Sequence, residues 1–420
     1  MKKILSIIVI SLIICSCFGV QGFIFEKRSD GTTNIDISDF FFDKKIELLM
    51  KLAKFPSLSA CIIEDDEVTW SNSYGYYDLE NKKQATENTI YNIGSISKTI
   101  TGTALMQLWE KGLFELDEDV NNYLPFSLRN PHFPNESITF RMLLSHSSSL
   151  YPESGYEALR CYYWFNFSQD PPFHGYPSPW IEEHLLPGGK WYYPERWSSY
   201  YKPGEYNMYA NVNFDIIAYL VELISGEQFL DYCDEHILQP LEMYNTSFNL
   251  SELPVENIAI PYHYHNGNYL MINELSYLFN EFTPSDKYWR IHMYPTGGLY
   301  SSVSDLSHFH ICFMNNGLYK DVRILEESTM IEMKEIQPPG NDFGGEYYGL
   351  GCSVNTTFPF NEEGLYGKSG GIFGVFTMMW YRYSDDKGVI FFTNGDIQAE
   401  QYPMIRQLAA FLICSILFDK

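Results

Sequence analysis

The most informative stretch of the chain is Tyr91-Asn92-Ile93-Gly94-Ser95-Ile96-Ser97-Lys98-Thr99, which leads into an apolar run that ends near Trp109. The run predicts a helix, and a helix places Ser95 and Lys98, three residues apart, on one face. A serine at the start of a helix lies near the positive end of the helix dipole, where an oxyanion is stabilised. A lysine at this spacing is one way to activate a serine without a histidine. So short a pattern occurs about once by chance in a chain of this length, so other segments must support it.

Strand patterns lie towards the two ends of the chain, and helix patterns lie between them. The predicted strands are Ser57–Glu64, Val68–Tyr77, Tyr347–Asn355, Val375–Arg382 and Gly388–Asn394. Helix patterns from residue 38 to Pro56 and from Pro403 to Phe418 flank them. Because segments distant in sequence then share one sheet, we predict an α+β fold. Residues 38–120 and 291–418 form its sheet-containing lobe, and residues 121–290, with little strand signal, form an inserted helical lobe.

The N-terminus has the pattern of a targeting segment. Lys2 and Lys3 precede an apolar run from Ile4 to Ile14, and small and polar residues follow as far as Gly22. The run is short for a bilayer span, and cleavage after Gly19 or Gly22 fits a secretory signal peptide. We therefore predict a signal peptide at 1–22, a linker at 23–37, and a protein that is secreted or lies in the lumen of the secretory pathway. The alternatives are an uncleaved membrane anchor and a bacterial lipoprotein modified at Cys17. No other segment predicts a stable membrane span.

Charge and cysteine usage exclude several classes of function. The chain has 420 residues and a net charge of −25, which would repel nucleic-acid phosphates. No Cys-x-x-Cys occurs, and neither His263/His265 nor His308/His310 has a further ligand at persuasive spacing, so neither a metal nor a cofactor is predicted. Six cysteines lie beyond the targeting segment, and no disulfide pairing is predicted for them. Glycosylation sequons, meaningful in a eukaryotic secretory protein, begin at Asn135, Asn166, Asn245, Asn249 and Asn355.

Three further segments could complete a site around Ser95, and one of them, Tyr294-Pro295-Thr296-Gly297-Gly298-Leu299-Tyr300-Ser301-Ser302, is predicted to be a tight turn that shapes the cleft. Pro203-Gly204-Glu205-Tyr206-Asn207-Met208-Tyr209-Ala210-Asn211 precedes a predicted helix, and an extended backbone there would aim Tyr209 and Asn211 at one place. Nearby lysines would lower the pKa of the phenol and make Tyr209 a feasible proton shuttle. Gly367-Lys368-Ser369-Gly370-Gly371 lies beside the predicted strand Val375–Arg382, and its glycines would let a substrate lie close to the backbone. A backbone N–H there could complete an oxyanion hole with that of Ser95.

Residues 151–200 form a long segment rich in aromatic residues and proline. Four of the eight tryptophans of the chain lie in it. Long loops are usually functional or disordered, and this composition argues against disorder. Two interpretations stay open: a packed surface excursion, or an aromatic rim over the site.

Taken together and in this order, these motifs resemble the serine β-lactamase and penicillin-binding-protein superfamily. The resemblance rests on the motifs Gly94-Ser95-Ile96-Ser97-Lys98, Tyr209-Ala210-Asn211 and Lys368-Ser369-Gly370. The branch that looks most similar contains class C β-lactamases, D-alanyl-D-alanine carboxypeptidases and related esterases. Further matching blocks are Leu143-Leu144-Ser145-His146-Ser147-Ser148-Ser149-Leu150, Thr296-Gly297-Gly298-Leu299-Tyr300-Ser301 and Tyr348-Gly349-Leu350-Gly351. The resemblance covers about residues 40–418.

The resemblance implies a two-lobed β-lactamase/transpeptidase-like fold, an antiparallel sheet flanked by terminal helices plus an all-α lobe, with the site between the lobes. It implies that Ser95 is the acylated nucleophile, Lys98 its general-base partner and Tyr209 the group that moves protons to the leaving group. Asn211, Lys368, Ser369 and Gly371 would bind substrate, and the N–H groups of Ser95 and Gly371 would form the oxyanion hole.

Two positions depart from the family pattern. Ser149 stands where glycine is common, and Lys368 stands where many esterase-like relatives carry histidine. We interpret His146, in the same block as Ser149, as structural.

The predicted function is that of a serine hydrolase that forms an acyl-serine intermediate with an amide, peptide, β-lactam or ester. Its partner is then a small-molecule or peptide substrate, and the sequence gives no oligomeric state. One alternative is a carboxylesterase or transesterase with a bulky acyl substrate, favoured by the aromatic segment. The other is a non-catalytic relative that serves as a scaffold or forms filaments.

Overall fold

The computed structural model describes most of the chain downstream of the targeting segment. The described residues are 37–152, 178–190, 192–275, 287–288, 291, 293–341, 346–356, 364–397 and 403–420. The predicted signal peptide, the linker up to residue 36 and residues 153–177 of the aromatic segment lie outside them. The chain divides into two units, one ending at Leu48 and one running from Leu49 to Lys420. In the first unit, the described residues belong to the start of a helix, α1, that spans Ile37–Ala53.

Eight strands form one antiparallel sheet in the second unit, in the order β10-β11-β12-β13-β14-β1-β2-β3. Their bounds are Ser57–Glu64 (β1), Glu67–Asp78 (β2), Lys83–Gln84 (β3), Glu346–Tyr348 (β10), Ser353–Asn355 (β11), Leu365–Ile372 (β12), Val375–Arg382 (β13) and Lys387–Thr393 (β14). The central strands are buried along almost their whole length, whereas β2 is largely accessible. Burial on both faces explains why β13 is a nearly continuous apolar run without alternation.

The first and last of the described strands are neighbours in the middle of this sheet. β1 pairs with β14 in a register that places Leu58 opposite Thr393 and Ile63 opposite Gly388. The sequence-based prediction of one sheet built from both ends of the chain is therefore confirmed. Among the described residues, three two-stranded pairs accompany this sheet: Ile90–Asn92 (β4) with Tyr300–Ser302 (β7), Tyr262–His265 (β5) with Asn268–Met271 (β6), and Leu318–Tyr319 (β8) with Val322–Arg323 (β9).

The remaining described α-helices of the second unit are Ser97–Glu110 (α2), Phe140–Leu144 (α3), Ser178–Leu185 (α4), Val212–Ser225 (α5), Phe229–Cys233 (α6), Tyr294–Gly297 (α7), Val303–Met314 (α8), Glu327–Lys334 (α9) and Pro403–Phe418 (α10). Every residue of α2 from Ser97 to Leu108 is buried, as expected of a helix that lacks a polar face. It packs against α5, and both belong to one hydrophobic core. Gly226 ends α5 in the left-handed conformation, with φ +79°.

Three local predictions differ from the structure. The single strand predicted for Tyr347–Asn355 is two strands, because the chain turns back between β10 and β11. At Gly349 in that turn, an added Cβ would lie 2.2 Å from the Met333 carbonyl oxygen, so this close approach needs glycine. The hairpin of β5 and β6 lies in residues 121–290, where little strand signal was found. Helix α4 lies in the segment that was interpreted as irregular. The lobe boundaries themselves stay a prediction.

In the part of the chain that the structure describes, no helix has the length and apolar character needed to cross a bilayer. The described cysteines, Cys61, Cys233, Cys312, Cys352 and Cys414, are all buried free thiols. Cys161 lies outside the described residues.

Candidate active site

Ser95 lies in a 3₁₀ turn, Gly94–Ile96, which we call the nucleophile turn, and α2 follows directly. The side chain of Asn92 accepts the Gly94 N–H at 3.0 Å, and the Ser97 hydroxyl donates to the Gly94 carbonyl at 2.6 Å. Gly94 has φ +54°, a conformation that favours glycine. These bonds fix the backbone on both sides of a serine that stays partly exposed at the start of a buried helix.

Lys98 is one turn further along α2, and its side chain is almost fully buried. Its ammonium group donates to Ser95 Oγ at 3.1 Å and to the carbonyl oxygen of Thr296 at 2.6 Å. Thr296 belongs to the one-turn helix α7, in the Thr296-Gly297-Gly298 block. The Lys98 Nζ also lies 5.1 Å from the ring centroid of Tyr209. A buried cation needs such partners, and here they aim it at the serine hydroxyl.

Tyr209 reaches the same serine from the loop that precedes α5. Its hydroxyl donates to Ser95 Oγ at 2.8 Å. Burial alone would raise the pKa of Tyr209, but the charges of Lys98 and Lys368, together with hydrogen bonds from Lys98 and Ser95, bring it below the ordinary value. A phenol whose anion is stabilised in this way can accept a proton from the serine and return it to a leaving group.

His146 supports Tyr209 and does not touch Ser95 in any described contact. The ring centroids of His146 and Tyr209 are 4.4 Å apart, and His146 Nδ1 accepts the N–H of Ala210 at 3.2 Å. Burial, followed by the charges of Lys98 and Lys368, holds the pKa of His146 well below its ordinary value. A neutral imidazole that fixes the backbone next to Tyr209 agrees with the interpretation of this histidine as structural.

Strand β12 carries the Lys-Ser-Gly-Gly motif and lies directly against the nucleophile turn. A Cβ added at Gly370 would lie 2.1 Å from the Ile93 carbonyl oxygen and 2.9 Å from the Ser95 nitrogen. A Cβ added at Gly94 would lie 2.8 Å from the Gly371 nitrogen. The glycines therefore allow backbone-to-backbone packing next to the serine. This proximity suits the predicted oxyanion hole, in which Ser95 and Gly371 each supply an N–H.

Two other predicted substrate-binding residues, Ser369 and Asn211, have no described hydrogen bond to Ser95. Ser369 alternates with Lys368 and so faces the opposite side of the strand, where its hydroxyl accepts the Trp380 Nε1–H at 3.2 Å. Asn211 is buried and precedes the first residue of α5. Their roles as substrate-binding residues stay predictions.

Glu346 is a site residue that sequence reasoning missed. Its carboxylate accepts a 2.9 Å hydrogen bond from Lys368 Nζ, and the Ser353 hydroxyl donates to the same oxygen. Burial raises the pKa of Glu346, but the charge of Lys368 and these two hydrogen bonds bring it below its ordinary value. Burial would likewise lower the pKa of Lys368, but Glu346 above all raises it above the ordinary value. The available signal was its position two residues before Tyr348 on one strand, since alternate strand residues share a face.

Three of the four histidines considered as metal ligands form hydrogen bonds that link separate segments of the fold. His263 binds the Asp396 carboxylate at 2.7 Å, His308 the Leu241 carbonyl at 2.8 Å, and His310 the Trp380 carbonyl at 3.0 Å. Among the described residues, one group does bring three ligand atoms within 4.8 Å of one another, and its members are Glu227, Glu235 and His236. None of these three belongs to the predicted site. A separate cavity of about 580 Å³ is lined by residues that include Cys61, His308 and Lys320, and no predicted site residue lines it.

Comparison with known proteins identifies a family and several relatives that this chain resembles. The family model described as Beta-lactamase matches residues 42–412. Protein flp of Staphylococcus aureus (strain N315) is 23% identical over 363 residues, which cover 86% of this chain and 64% of that protein. Penicillin-binding protein 4* of Bacillus subtilis (strain 168) is 25% identical over 360 residues, which cover 85% of this chain and 72% of that protein. The chain thus spans somewhat less than two thirds of the length of the Staphylococcus relative.

Solved structures share the fold. The octameric penicillin-binding protein homologue from Pyrococcus abyssi superposes with a TM-score of 0.67 and 27% identity, over 90% of this chain and 78% of that chain. The D-amino acid amidase from Ochrobactrum anthropi SV3, complexed with D-phenylalanine, gives a TM-score of 0.65 and 19% identity, over 90% of this chain and 100% of that chain. The predicted β-lactamase/transpeptidase-like fold is therefore confirmed.

Proposed function

The chain belongs to the beta-lactamase family, and from that premise we propose that it is a serine hydrolase in which substrate acylates Ser95. One observation carries the proposal: Ser95 Oγ lies within hydrogen-bond distance of both Lys98 Nζ, at 3.1 Å, and the Tyr209 hydroxyl, at 2.8 Å. A nucleophile with its base in direct contact is the arrangement that covalent catalysis requires.

Acylation begins when the Ser95 hydroxyl proton passes to the Tyr209 phenolate, whose negative charge the Lys98 ammonium group stabilises. The freed Oγ electron pair forms a bond to the carbonyl carbon of the substrate, and the carbonyl electrons move onto oxygen. The N–H groups of Ser95 and Gly371 stabilise that oxyanion. When the tetrahedral intermediate collapses, the bond to the leaving group breaks, and Tyr209 returns the proton to it.

Deacylation repeats these steps with water. Tyr209 accepts a proton from the attacking water, hydroxide adds to the acyl carbon, and the bond to Ser95 Oγ breaks as the serine recovers its proton. The lowered pKa of Tyr209 supports both roles, since a phenolate is available as the base at a lower pH than for a free phenol. Neither a cofactor nor a metal takes part in any of these steps.

The substrate class that we propose is an amide or peptide, as the names of the penicillin-binding and amidase relatives suggest for those proteins. An ester substrate is the second candidate, and the aromatic composition of residues 151–200 favours one with a bulky acyl group. A non-catalytic scaffold is the third possibility. The retention of Ser95, Lys98 and Tyr209 in mutual contact argues against it.

A labelling experiment tests the acyl-serine chemistry. Wild-type protein is treated with a serine-directed fluorophosphonate and with a fluorescent penicillin, beside Ser95→Ala and a control, Ser328→Ala, which removes an exposed hydroxyl from α9. We expect wild type and Ser328→Ala to be labelled by the fluorophosphonate and Ser95→Ala to stay unlabelled. Failure of both reagents on folded wild-type protein would overturn the proposal. Labelling by fluorophosphonate alone would favour the ester over the penicillin-like amide.

We also propose that the protein enters the secretory pathway through residues 1–22. The basic start, short apolar run and small residues support this, and the sequon at Asn135 has an exposed acceptor side chain. N-terminal sequencing of the mature protein from a secreting host should begin at Val20 or Phe23. A mature chain that still begins at Met1 would contradict signal cleavage.

A further inference from the structure

Lys368 already has a carboxylate partner within this chain. In the proposed acyl-serine site, Lys368 would be the cation that receives a carboxylate of the substrate. Its Nζ lies 2.9 Å from Glu346 Oε1, and only 7% of the Lys368 side chain is accessible. The Glu346 side chain is 32% accessible, so the acid is on the solvent side of the pair. An incoming carboxylate would therefore approach Lys368 past a fixed negative charge.

Three neighbouring strands hold this acid in place. Glu346 lies on β10 at the edge of the sheet, Ser353 on β11, and Lys368 on β12. Ser353 is paired with Tyr348 on one side and with Gly367 on the other. Its hydroxyl donates to the Glu346 carboxylate from the strand in between, so the acid bridges two strands. Such a bridge has a defined geometry and is not a freely rotating surface charge.

The pair is ionised, and the rest of the molecule reinforces its effect. The pKa of Glu346 is below, and that of Lys368 above, its ordinary value, so both carry charge at neutral pH. An ion pair presents little net attraction for a third charge, and Glu346 repels an anion directly. The net charge of −25 adds a long-range potential that disfavours anionic ligands.

We propose that Glu346 is a specificity-determining residue that occupies the place of a substrate carboxylate at Lys368, so that the site prefers uncharged esters or amides to substrates with a carboxylate beside the scissile bond. The inference rests on the acyl-serine function proposed above and narrows its substrate class. It assigns Lys368 a second task, because a lysine neutralised by Glu346 still lies 5.0 Å from the ring of Tyr209 and stabilises the phenolate.

A matched substrate pair tests the preference. Two aryl esters share one acyl group, and their leaving phenols carry either a meta-carboxylate or a meta-carboxamide. In wild-type protein, kcat/KM should be at least about tenfold higher for the carboxamide, the ratio that corresponds to 1.4 kcal/mol of discrimination. A wild-type protein that prefers the carboxylate would overturn the inference without any variant.

Variants then assign the preference to one residue. In Glu346→Gln, the carboxamide-to-carboxylate ratio should fall by roughly tenfold, because the repelling charge is gone and Lys368 is free to bind the anion. In Ser353→Ala, which keeps the charge and removes one hydrogen bond, the ratio should change less. Glu327→Gln removes an equal charge from an exposed position on α9 and should leave the ratio at the wild-type value.

The two proposals fail in distinguishable ways. Fluorophosphonate labelling of Ser95 is measured on each preparation first. Absence of labelling on folded wild-type protein removes the acyl-serine function, and with it this inference. Normal labelling with a ratio that stays unchanged in Glu346→Gln overturns the assignment of Glu346 alone. An equal fall in kcat/KM for both esters also contradicts it, because that result marks Glu346 as a purely structural residue.

Discussion

The two sides of the candidate site are built differently. On one side, Ser95 lies in the nucleophile turn, Lys98 in the first turn of α2 and Tyr209 in the loop before α5. Both helices belong to the main hydrophobic core. On the other, Lys368 and Glu346 stand on β12 and β10, towards the edge of the sheet. The nucleophile and its proton-transfer partners are thus held by the hydrophobic core. The ion pair of Lys368 and Glu346, which we propose selects substrates by charge, is held near an edge of the sheet. Changes at the edge strand can alter selectivity while leaving the nucleophile and its base in place.

Replacing Lys98 should have the largest effect. In Lys98→Met, we expect a loss of kcat/KM on the order of 10²–10⁴-fold, because Ser95 Oγ loses the ammonium group that is hydrogen-bonded to it and that favours its ionisation. Tyr209 also loses one of the two charges that lower its pKa. Steady-state kinetics with a neutral aryl ester measure the loss.

Lys334 offers a control, because it is a half-buried lysine away from Ser95 whose Nζ also donates a hydrogen bond, to Asn316 at 2.9 Å. Lys334→Met should keep activity near the wild-type level. A comparable loss in both variants would mean that removal of a buried lysine damages the fold, and that the core side of the site has no special part in the chemistry.

An intermediate effect is expected where the two sides touch, at Gly370. In Gly370→Ala, the new methyl group would meet the Ile93 carbonyl oxygen and the Ser95 nitrogen, so β12 or the nucleophile turn must shift. We expect kcat/KM to fall by roughly 10²-fold, because small misplacements of reacting groups cause losses of this size. Overpacking should also reduce the free energy of unfolding by about 1–3 kcal/mol. Kinetics and thermal melting measure the two effects.

Gly364→Ala serves as its control, since the nearest atom to the added Cβ there is a Val354 methyl carbon at 3.5 Å, an ordinary contact. That variant should keep both activity and stability. Full activity in Gly370→Ala would show that the contact between β12 and the serine is not required.

The smallest expected effect is a shift in the pH dependence of kcat/KM when the charge of Lys368 or Glu346 is removed. The positive charge of Lys368 lowers the pKa of Tyr209, so Lys368→Met should raise that pKa. Since the base is the deprotonated phenol, activity rises as pH increases through this pKa, and the ascending limb of kcat/KM should move to higher pH. In Glu346→Gln, the charge of Lys368 is no longer neutralised and lowers the pKa of Tyr209 further. The ascending limb of kcat/KM in this variant should therefore move to lower pH. Identical limbs in wild type and Lys368→Met would contradict the coupling.

The core side of the site could be predicted from the sequence, and the edge side only in part. A local pattern places Ser95 and Lys98 on one helix face at fixed spacing, whereas the approach of Tyr209 to Ser95 was expected from the family resemblance. The contact of Glu346 with Lys368 depends on the register of three strands, which no local pattern specifies. The Lys-Ser-Gly-Gly motif is typical of a turn, yet it lies in β12. Its glycines are needed because Ile93 and Ser95 approach from a distant part of the chain.

The pairing of β1 with β14 has a consequence for how the protein is made. Leu58 leaves the ribosome long before Thr393, its partner in the sheet. At roughly 5–20 residues per second, translation of the chain between them takes tens of seconds. Throughout that time, the apolar strand Ser57–Glu64 lacks the partner that finally covers one of its edges, and unpaired apolar strands readily join other chains. We therefore expect the nascent chain to need protection during synthesis, and a truncation that removes β14 to yield a product prone to aggregation.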